Sequence, residues 1–327
     1  MSDFSVVQFV IGIVLVLVVN VDFMWTTVSM SGAGVIAKRG ARAAGGLLSR
    51  VLKGKLVHAV GPLVLTILFT WWVGGLWLGW TLVFNAEPGA VVASQSREAA
   101  DFWEVAYFAG FSMSTLGVGD FVATKDGWRL VVVLTALNGL SLITLGITYI
   151  VSILQTLVQQ HALAREIQSY GRTAEELVLW GWTGSDFSRL SQALGSMPQS
   201  LLAMEAKEHA FPIVWEYLPG DRRAAIGCSV ALLEDALALV SCTRGGDELL
   251  ATDLRPLDRA LDQYVRNTTG QRVGAPPLKG LEAMEAAGIP LKEAAEREAA
   301  VQARAERRDL AVAFALNRHQ SPHRLVS

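Results

Sequence analysis

Three apolar stretches, all before residue 160, limit what this chain can fold into: about Phe4 to Phe23, about Val57 to Phe84, and about Arg129 to Val158. Crossing a bilayer takes about 20 mostly apolar residues, and each stretch is long enough. In hydrocarbon every backbone N–H and C=O must be satisfied within the segment, so all three are predicted to be helices. Charge is distributed in the opposite sense. Residues 159–327 carry 41 of the 58 charged residues, 19 basic and 22 acidic. The fold class that follows is an all-α membrane protein with a helical cytoplasmic domain. Its segments are an N-terminal transmembrane helix at 1–30, a basic cytoplasmic loop at 31–56, a two-span module at 57–158 and the helical domain at 159–327. A net charge of −2 and the lack of a basic stripe point to no nucleic-acid partner. The lipid bilayer is the expected partner.

The first stretch is expected to be a retained helix. Met1-Ser2-Asp3 is not the basic leader of a signal peptide, and no small-residue cleavage site follows the apolar run. Residues 31–58 hold Lys38, Arg39, Arg42, Arg50, Lys53 and Lys55 with no acid, whereas 85–101 holds Glu87, Glu98 and Asp101 against Arg97. The positive-inside rule then puts the first loop in the cytoplasm, the N-terminus outside and the C-terminal half inside, in a multi-pass protein of the cell (inner) membrane. Trp80, Trp103 and Trp128 are expected near the outer interface, and Trp25 near the inner one.

Between the second and third spans lies a stretch too short and too mixed to cross. Asp101 is a good N-cap with Glu104 three residues on, the signature of a capping box, so residues 101–114 read as a half-crossing helix. Its C-terminal end carries partial negative charge into the membrane, which favours a cation there. Thr115-Leu116-Gly117-Val118-Gly119-Asp120 follows. Glycine reaches left-handed dihedrals without steric penalty, so Gly117 and Gly119 allow successive carbonyls to face one axis. Non-helical backbone at this depth is tolerated when it is buried in protein or lines water.

The order span, pore helix, glycine loop, span resembles the two-helix pore domain of tetrameric potassium channels of prokaryotic type, here with an extra N-terminal helix. The resemblance covers about Val57 to Val158. It includes Gly127-Trp128-Arg129-Leu130-Val131 at the start of an inner helix and Gly139 at the position of a possible gating hinge. It implies that Thr115, Leu116, Gly117, Val118 and Gly119 form an ion-selectivity filter, with potassium held at Thr115, Leu116, Gly117 and Val118 and with Ser114 and Asp120 in support. It further implies a homotetramer, passive permeation with no enzymatic step, and no cofactor beyond the permeant potassium ion. Two departures matter. Val118 stands where the family commonly has Tyr or Phe, so the filter's brace is expected to be apolar packing from Tyr107, Phe108 and Phe111. Phe111 stands where some members have a buried acid, so Asp120 is expected to be freer, and strict selectivity against sodium less assured. A weakly selective monovalent cation channel and a non-conducting membrane scaffold or signalling protein are the alternative readings.

On the third span two faces compete for the pore: a polar stripe of Asn138, Ser141, Thr148, Ser152 and Gln155, and an aliphatic one of Leu140, Ile143, Ile147 and Val151. Gly139 and Gly146 fit either hinges or ordinary helix packing. Asp22, the one acid of the first span, is expected to face the headgroups. No span has an arginine ladder, so steep voltage sensing of that kind is not expected.

Residues 159–327 read as helical. Expected features are a Thr173–Glu176 capping box, an Asp221-capped helix over Arg222 to Ser241, and a helix opened by Pro256. Leu291 to Asn317 is expected to be a solvated or loosely packed tail helix with i,i+4 pairs such as Glu293 to Arg297. Cys228 and Cys242 are expected to be small core residues, and Phe211, Trp215, Tyr217, Trp180 and Trp182 a core aromatic cluster. His209, His319 and His323 show no metal-ligand grouping. No nucleotide-binding or phosphate-binding motif is present.

Overall fold

The computed structural model describes residues 4–29, 33–52, 58–217, 225–268 and 272–317. Lys53, Lys55, Gly220, Asp221, Gly270, His319 and His323 lie outside the described residues. The chain divides into two compact units: Met1–Leu154 with Ala210–Glu216, and Gln155–His209 with Tyr217–Ser327.

α1 (Val6–Val28) and α3 (Val60–Asn85) of the first unit are each long and apolar enough to cross a membrane, as is α5 (Asp126–Tyr170), which belongs to this unit as far as Leu154. Hydrophobic burial gives little drive between helices in lipid, so close packing through small residues must hold them. A Cβ added at Gly12 would come 2.8 Å from the Gly79 carbonyl oxygen, and one at Gly75 would come 2.8 Å from Val19. These glycines let α1 and α3 approach. A half-buried polar cluster adds to the packing: Asn138 Oδ1 accepts from Trp80 Nε1 at 3.0 Å, and Asn138 Nδ2 donates to Asn20 Oδ1 at 2.6 Å. Trp80 is therefore a buried donor within the bundle.

The 31–56 stretch is not simply a loop, because it contains α2 (Val35–Val51). Its N-terminal amides are capped from the preceding helix. Asp22 Oδ1 accepts from Ile36 N at 3.0 Å and Ala37 N at 3.1 Å, while Asp22 Oδ2 accepts from Trp72 Nε1 at 3.1 Å. Asp22 is thus buried, contrary to the expectation that it faces the headgroups. A carboxylate that receives three donors has its desolvation offset, which is why it is tolerated there.

α5 runs unbroken for 45 residues through Gly139 and Gly146, about 68 Å at 1.5 Å per residue, well beyond its expected end near Val158. A short antiparallel ribbon pairs β1 (Val91–Ala93) with β2 (Phe121–Ala123) in the register Val91↔Ala123, Val92↔Val122 and Ala93↔Phe121. It frames α4 (Phe102–Met113), the half-crossing helix. A 3₁₀ turn at Pro212–Glu216 completes this unit, with the Phe211 ring 5.9 Å from that of Tyr149.

The second unit is helical: α6 (Ala174–Gly181), α7 (Ser188–Leu194), α8 (Met197–Ala210), α9 (Ile226–Ser241), α10 (Gly246–Ala251), α11 (Arg255–Thr268), α12 (Leu281–Ala286), α13 (Ala294–Ala303) and α14 (Ala305–Asn317). α9 is its core, with Ile226, Val230, Leu233, Leu237 and Val240 all buried. It runs from Ile226, after Ala225 at its N-cap, while Asp221 and Arg222 of the expected start lie outside the described residues. Thr173 does cap α6, its Oγ1 accepting from Glu176 N at 3.1 Å, but Glu176 returns its carboxylate to Arg172 N instead of to Thr173. Cys242 is buried and Cys228 half-buried.

The expected tail helix is two helices broken at Arg304, and α14 is not solvated. Leu310, Ala311, Ala313 and Phe314 are buried. Arg304 Nη2 and Arg307 Nη2 meet the fully buried Glu234 carboxylate at 3.1 and 2.6 Å, and Arg308 Nε meets Asp235 at 2.6 Å. Burial pushes the Glu234 carboxyl up, against the opposing pull of Arg304 and Arg307. Glu293 does not pair with Arg297 among the described ion pairs. Its N–H instead donates to Glu296 Oε2 at 3.3 Å, capping α13. The expected aromatic cluster is divided: Phe211 and Trp215 belong to the first unit, while Trp180 and Trp182 stack on Tyr170 and Phe187 in the second.

Candidate pore loop

The half-crossing helix begins as its sequence requires. Asp101 Oδ1 accepts from Glu104 N at 2.8 Å, and Glu104 Oε2 accepts from Asp101 N at 2.8 Å, a reciprocal capping box. Twelve residues span about 18 Å, roughly half of a 30 Å hydrocarbon core. Its flank is held to α3 by Trp77 Nε1, which donates to the Ala106 carbonyl at 2.7 Å, and by Phe84 and Phe108 edge-to-face at 5.1 Å.

The helix ends in a Schellman motif. Leu116 N donates to Phe111 O at 2.9 Å and Thr115 N to Ser112 O at 3.2 Å, with Thr115 at φ +59° between them. Glycine usually occupies that left-handed position. A β-branched residue there is uncommon, and left-handed backbone costs it about 1–2 kcal/mol. Ser114 lies at the cap, its Oγ donating to Phe111 O at 3.2 Å.

From Thr115 the backbone alternates. Thr115, Gly117 and Gly119 have φ of +59°, +60° and +86°, while Leu116 and Val118 keep negative φ. In a regular strand successive peptides face opposite sides. Left-handed backbone at every second residue breaks that alternation and allows successive carbonyls to turn toward one side. Only glycine does this freely, which accounts for Gly117 and Gly119. Every residue from Ser114 to Asp120 is exposed in the single chain, with Leu116 70% and Val118 50% exposed.

The segment beyond the loop is tied down. Ser94 N donates to Asp120 O at 2.7 Å. The Tyr107 ring meets Phe121 edge-to-face at 6.2 Å. The Asp120 carboxylate accepts from Phe121 N at 3.1 Å, and the Tyr107, Phe108 and Phe111 rings pack edge-to-face at 5.2–5.3 Å beside the loop. Nearby, Glu87 accepts from Trp128 Nε1 at 2.7 Å and pairs with Lys125. The Lys125 and Trp128 hydrogen bonds hold its carboxyl below the usual range.

Behind the loop lies a cavity of about 680 Å³ lined by Phe108, Phe111, Ser112, Thr115, Gly117 and Val132, among others. The Ser112 hydroxyl is buried there without a hydrogen-bond partner. Gly139 of α5 sits against the end of α4, where an added Cβ would lie 1.8 Å from the Met113 carbonyl oxygen. At Gly146 an added Cβ would likewise lie 2.7 Å from the Phe69 ring. Both glycines are contact points between helices.

A family model described as "Ion channel" matches residues 66–156, from within α3 through α4 and the glycine loop into α5. The membrane protein YdjJ of Bacillus subtilis strain 168, itself uncharacterized, is 31% identical over 236 residues, which cover 70% of this chain and 68% of that protein. The chain belongs to this ion-channel family, with its two-helix, potassium-channel-type pore. No solved structure matches the chain significantly.

In this ion channel the buried side of α5 carries Thr135, Gly139, Leu142, Gly146, Tyr149 and Ile153. Asn138 also lies there, bonded to Asn20 and Trp80, so it does not belong to the polar stripe read from the sequence. Ser141, Thr148 and Ser152 return their hydroxyls to carbonyls of their own helix at 2.8–3.0 Å. Ser141 and Thr148 are exposed together with Leu140, Ile143, Ile147 and Val151, so the two competing faces merge into a single exposed arc. Hydroxyls satisfied within the helix leave that arc with modest polarity.

Proposed function

We propose that this ion channel conducts potassium selectively and passively, through a filter made of the carbonyls of Thr115, Leu116, Gly117, Val118 and Gly119. The observation that carries this reading is the alternation of φ at Thr115, Gly117 and Gly119, directly after a capped half-crossing helix. Aligned carbonyls replace a cation's hydration shell, and ions advance by knock-on between adjacent sites. The negative end of α4 favours a cation below Thr115.

One such strand cannot ring an ion, so four copies around an axis complete the site as a homotetramer. The exposed apolar side chains of Leu116 and Val118 support this, since neighbouring copies would cover them. Ser114 ends the pore helix and Asp120, its carbonyl held by Ser94 N, braces the outer side. A bend of α5 at Gly139 would act directly on the last turn of α4. No catalytic step and no cofactor beyond permeant potassium enter this mechanism. In this reading the N-terminus is outside, the second unit is cytoplasmic, and the membrane is the cell membrane. Weak selectivity is the second reading, favoured by Val118, which has no hydroxyl to fix the strand.

Purified protein in planar bilayers with potassium on one side and sodium on the other tests this through its reversal potential. A value near the potassium equilibrium potential is expected, and a value showing equal permeability refutes selectivity.

A further inference from the structure

The α2 helix has an exposed side that the pore does not use. Lys38, Arg39, Arg42 and Arg50 are all exposed, lie within an arc of about 120° on a 3.6-residue helix, and make no ion pair among the described residues. Residues 33–52 contain no acid. Next to this arc run Ile36, Ala43, Leu47 and Val51, all exposed. The third side, with Ala37 and Gly45 buried, packs within the first unit. Since α1 ends at Val28 and α3 begins at Val60, α2 lies between two consecutive membrane spans and so at one membrane face.

We infer that α2 is a surface-lying helix that binds anionic phospholipid, its Ile36–Leu47–Val51 side entering the acyl boundary and its four bases engaging headgroup phosphates. A basic face beside an apolar one is the arrangement that holds a helix in the interfacial plane. Each basic residue near an anionic surface strengthens attachment about fivefold. The charge complementarity is one-sided, because no acid of α2 would repel the leaflet. Asp22 fixes where this side points: its carboxylate joins the α2 N-terminus to α1 and, through Trp72, to α3. Lipid held by α2 therefore acts on the transmembrane bundle itself. This inference does not rest on potassium conduction.

The test is native mass spectrometry of the full-length protein in mild detergent, titrated with phosphatidylglycerol or phosphatidylcholine. The wild type is expected to retain phosphatidylglycerol at least about tenfold more tightly, a preference that shrinks as salt screens the exposed charges. Replacing the four bases together (Lys38→Gln, Arg39→Gln, Arg42→Gln, Arg50→Gln) should bring the two lipids to parity. The charge-keeping set Lys38→Arg, Arg39→Lys, Arg42→Lys and Arg50→Lys should keep the preference. Excess inorganic phosphate should not displace the lipid. No headgroup preference in the wild type, a salt-insensitive preference, one that survives the glutamine set, or displacement by free phosphate would each overturn the inference.

Discussion

Gly139→Ala is the substitution for which the structure gives the sharpest expectation. The new Cβ would stand 1.8 Å from the Met113 carbonyl oxygen, whereas real Cβ contacts stay beyond 3.0 Å, so one backbone must retreat by at least 3.0 − 1.8 = 1.2 Å. Nothing flexible separates them. The obstacle is the last turn of α4, which is already committed to the Schellman bonds of Thr115 and Leu116. Overpacking of this kind costs about 1–3 kcal/mol, and a backbone obstacle puts it at the upper end. Alanine returns up to about 1 kcal/mol of helix propensity, which leaves a net loss of about 2 kcal/mol. Gly74→Ala, with nothing within 4 Å, should be neutral or slightly stabilising, and Gly146→Ala intermediate, since the Phe69 ring it meets can turn aside. Thermal denaturation of the purified protein in detergent ranks the three. Because α4 leads straight into the loop, Gly139→Ala should also alter ion flux. Gly139→Ala as heat-stable as Gly74→Ala would refute the packing role and leave only a hinge to explain the residue.

Asp22→Ala should uncap α2, leaving the amides of Ile36 and Ala37 and the Trp72 indole without their acceptor, at a cost of about 1–3 kcal/mol per buried donor left unmade. Hydrogen exchange at the first turn of α2 should accelerate in this variant and much less in Asp22→Asn, which keeps an acceptor oxygen; unchanged protection in Asp22→Ala would contradict the cap. Glu234→Gln removes the charge facing Arg304 and Arg307, and breaking a buried pair from one side costs about 3–5 kcal/mol. Limited proteolysis of the full chain should then cut within α14 at protease levels the wild type withstands, and wild-type resistance would show that the pair is not what holds α14.

The spans, the half-crossing helix and the glycine loop were legible because their signals are local. Twenty apolar residues, an Asp101–Glu104 pair and a Gly-x-Gly each carry their meaning within a few positions. What stayed hidden depends on partners far along the chain. The cap of α2 comes from Asp22, one helix earlier, so an Ala- and Gly-rich basic stretch passes for a loop. Asn138 looks like a member of a pore stripe until Asn20 and Trp80 are seen to occupy it. The arginines of α14 look solvated because nothing near them in sequence shows that Glu234 and Asp235 point inward from α9. β1 and β2, at three residues each, are too short for periodicity to mark. Thr115 at the left-handed end of α4 gave no signal, since glycine is the residue that announces that position. Tyr107 was visible as an aromatic on the pore helix, but its ring contact with Phe121 depends on how the loop returns past α4.

Potassium conduction through the loop is most directly tested by flux in liposomes containing purified protein, comparing the wild type with Gly117→Ala. Alanine at φ +60° costs about 1–2 kcal/mol and disturbs the alternation of carbonyls where an ion would sit. The expected result is potassium uptake far exceeding sodium uptake in the wild type, with uptake or selectivity lost in the variant. A wild type that passes neither ion, or a Gly117→Ala channel indistinguishable from it, would contradict a filter at Thr115 to Gly119.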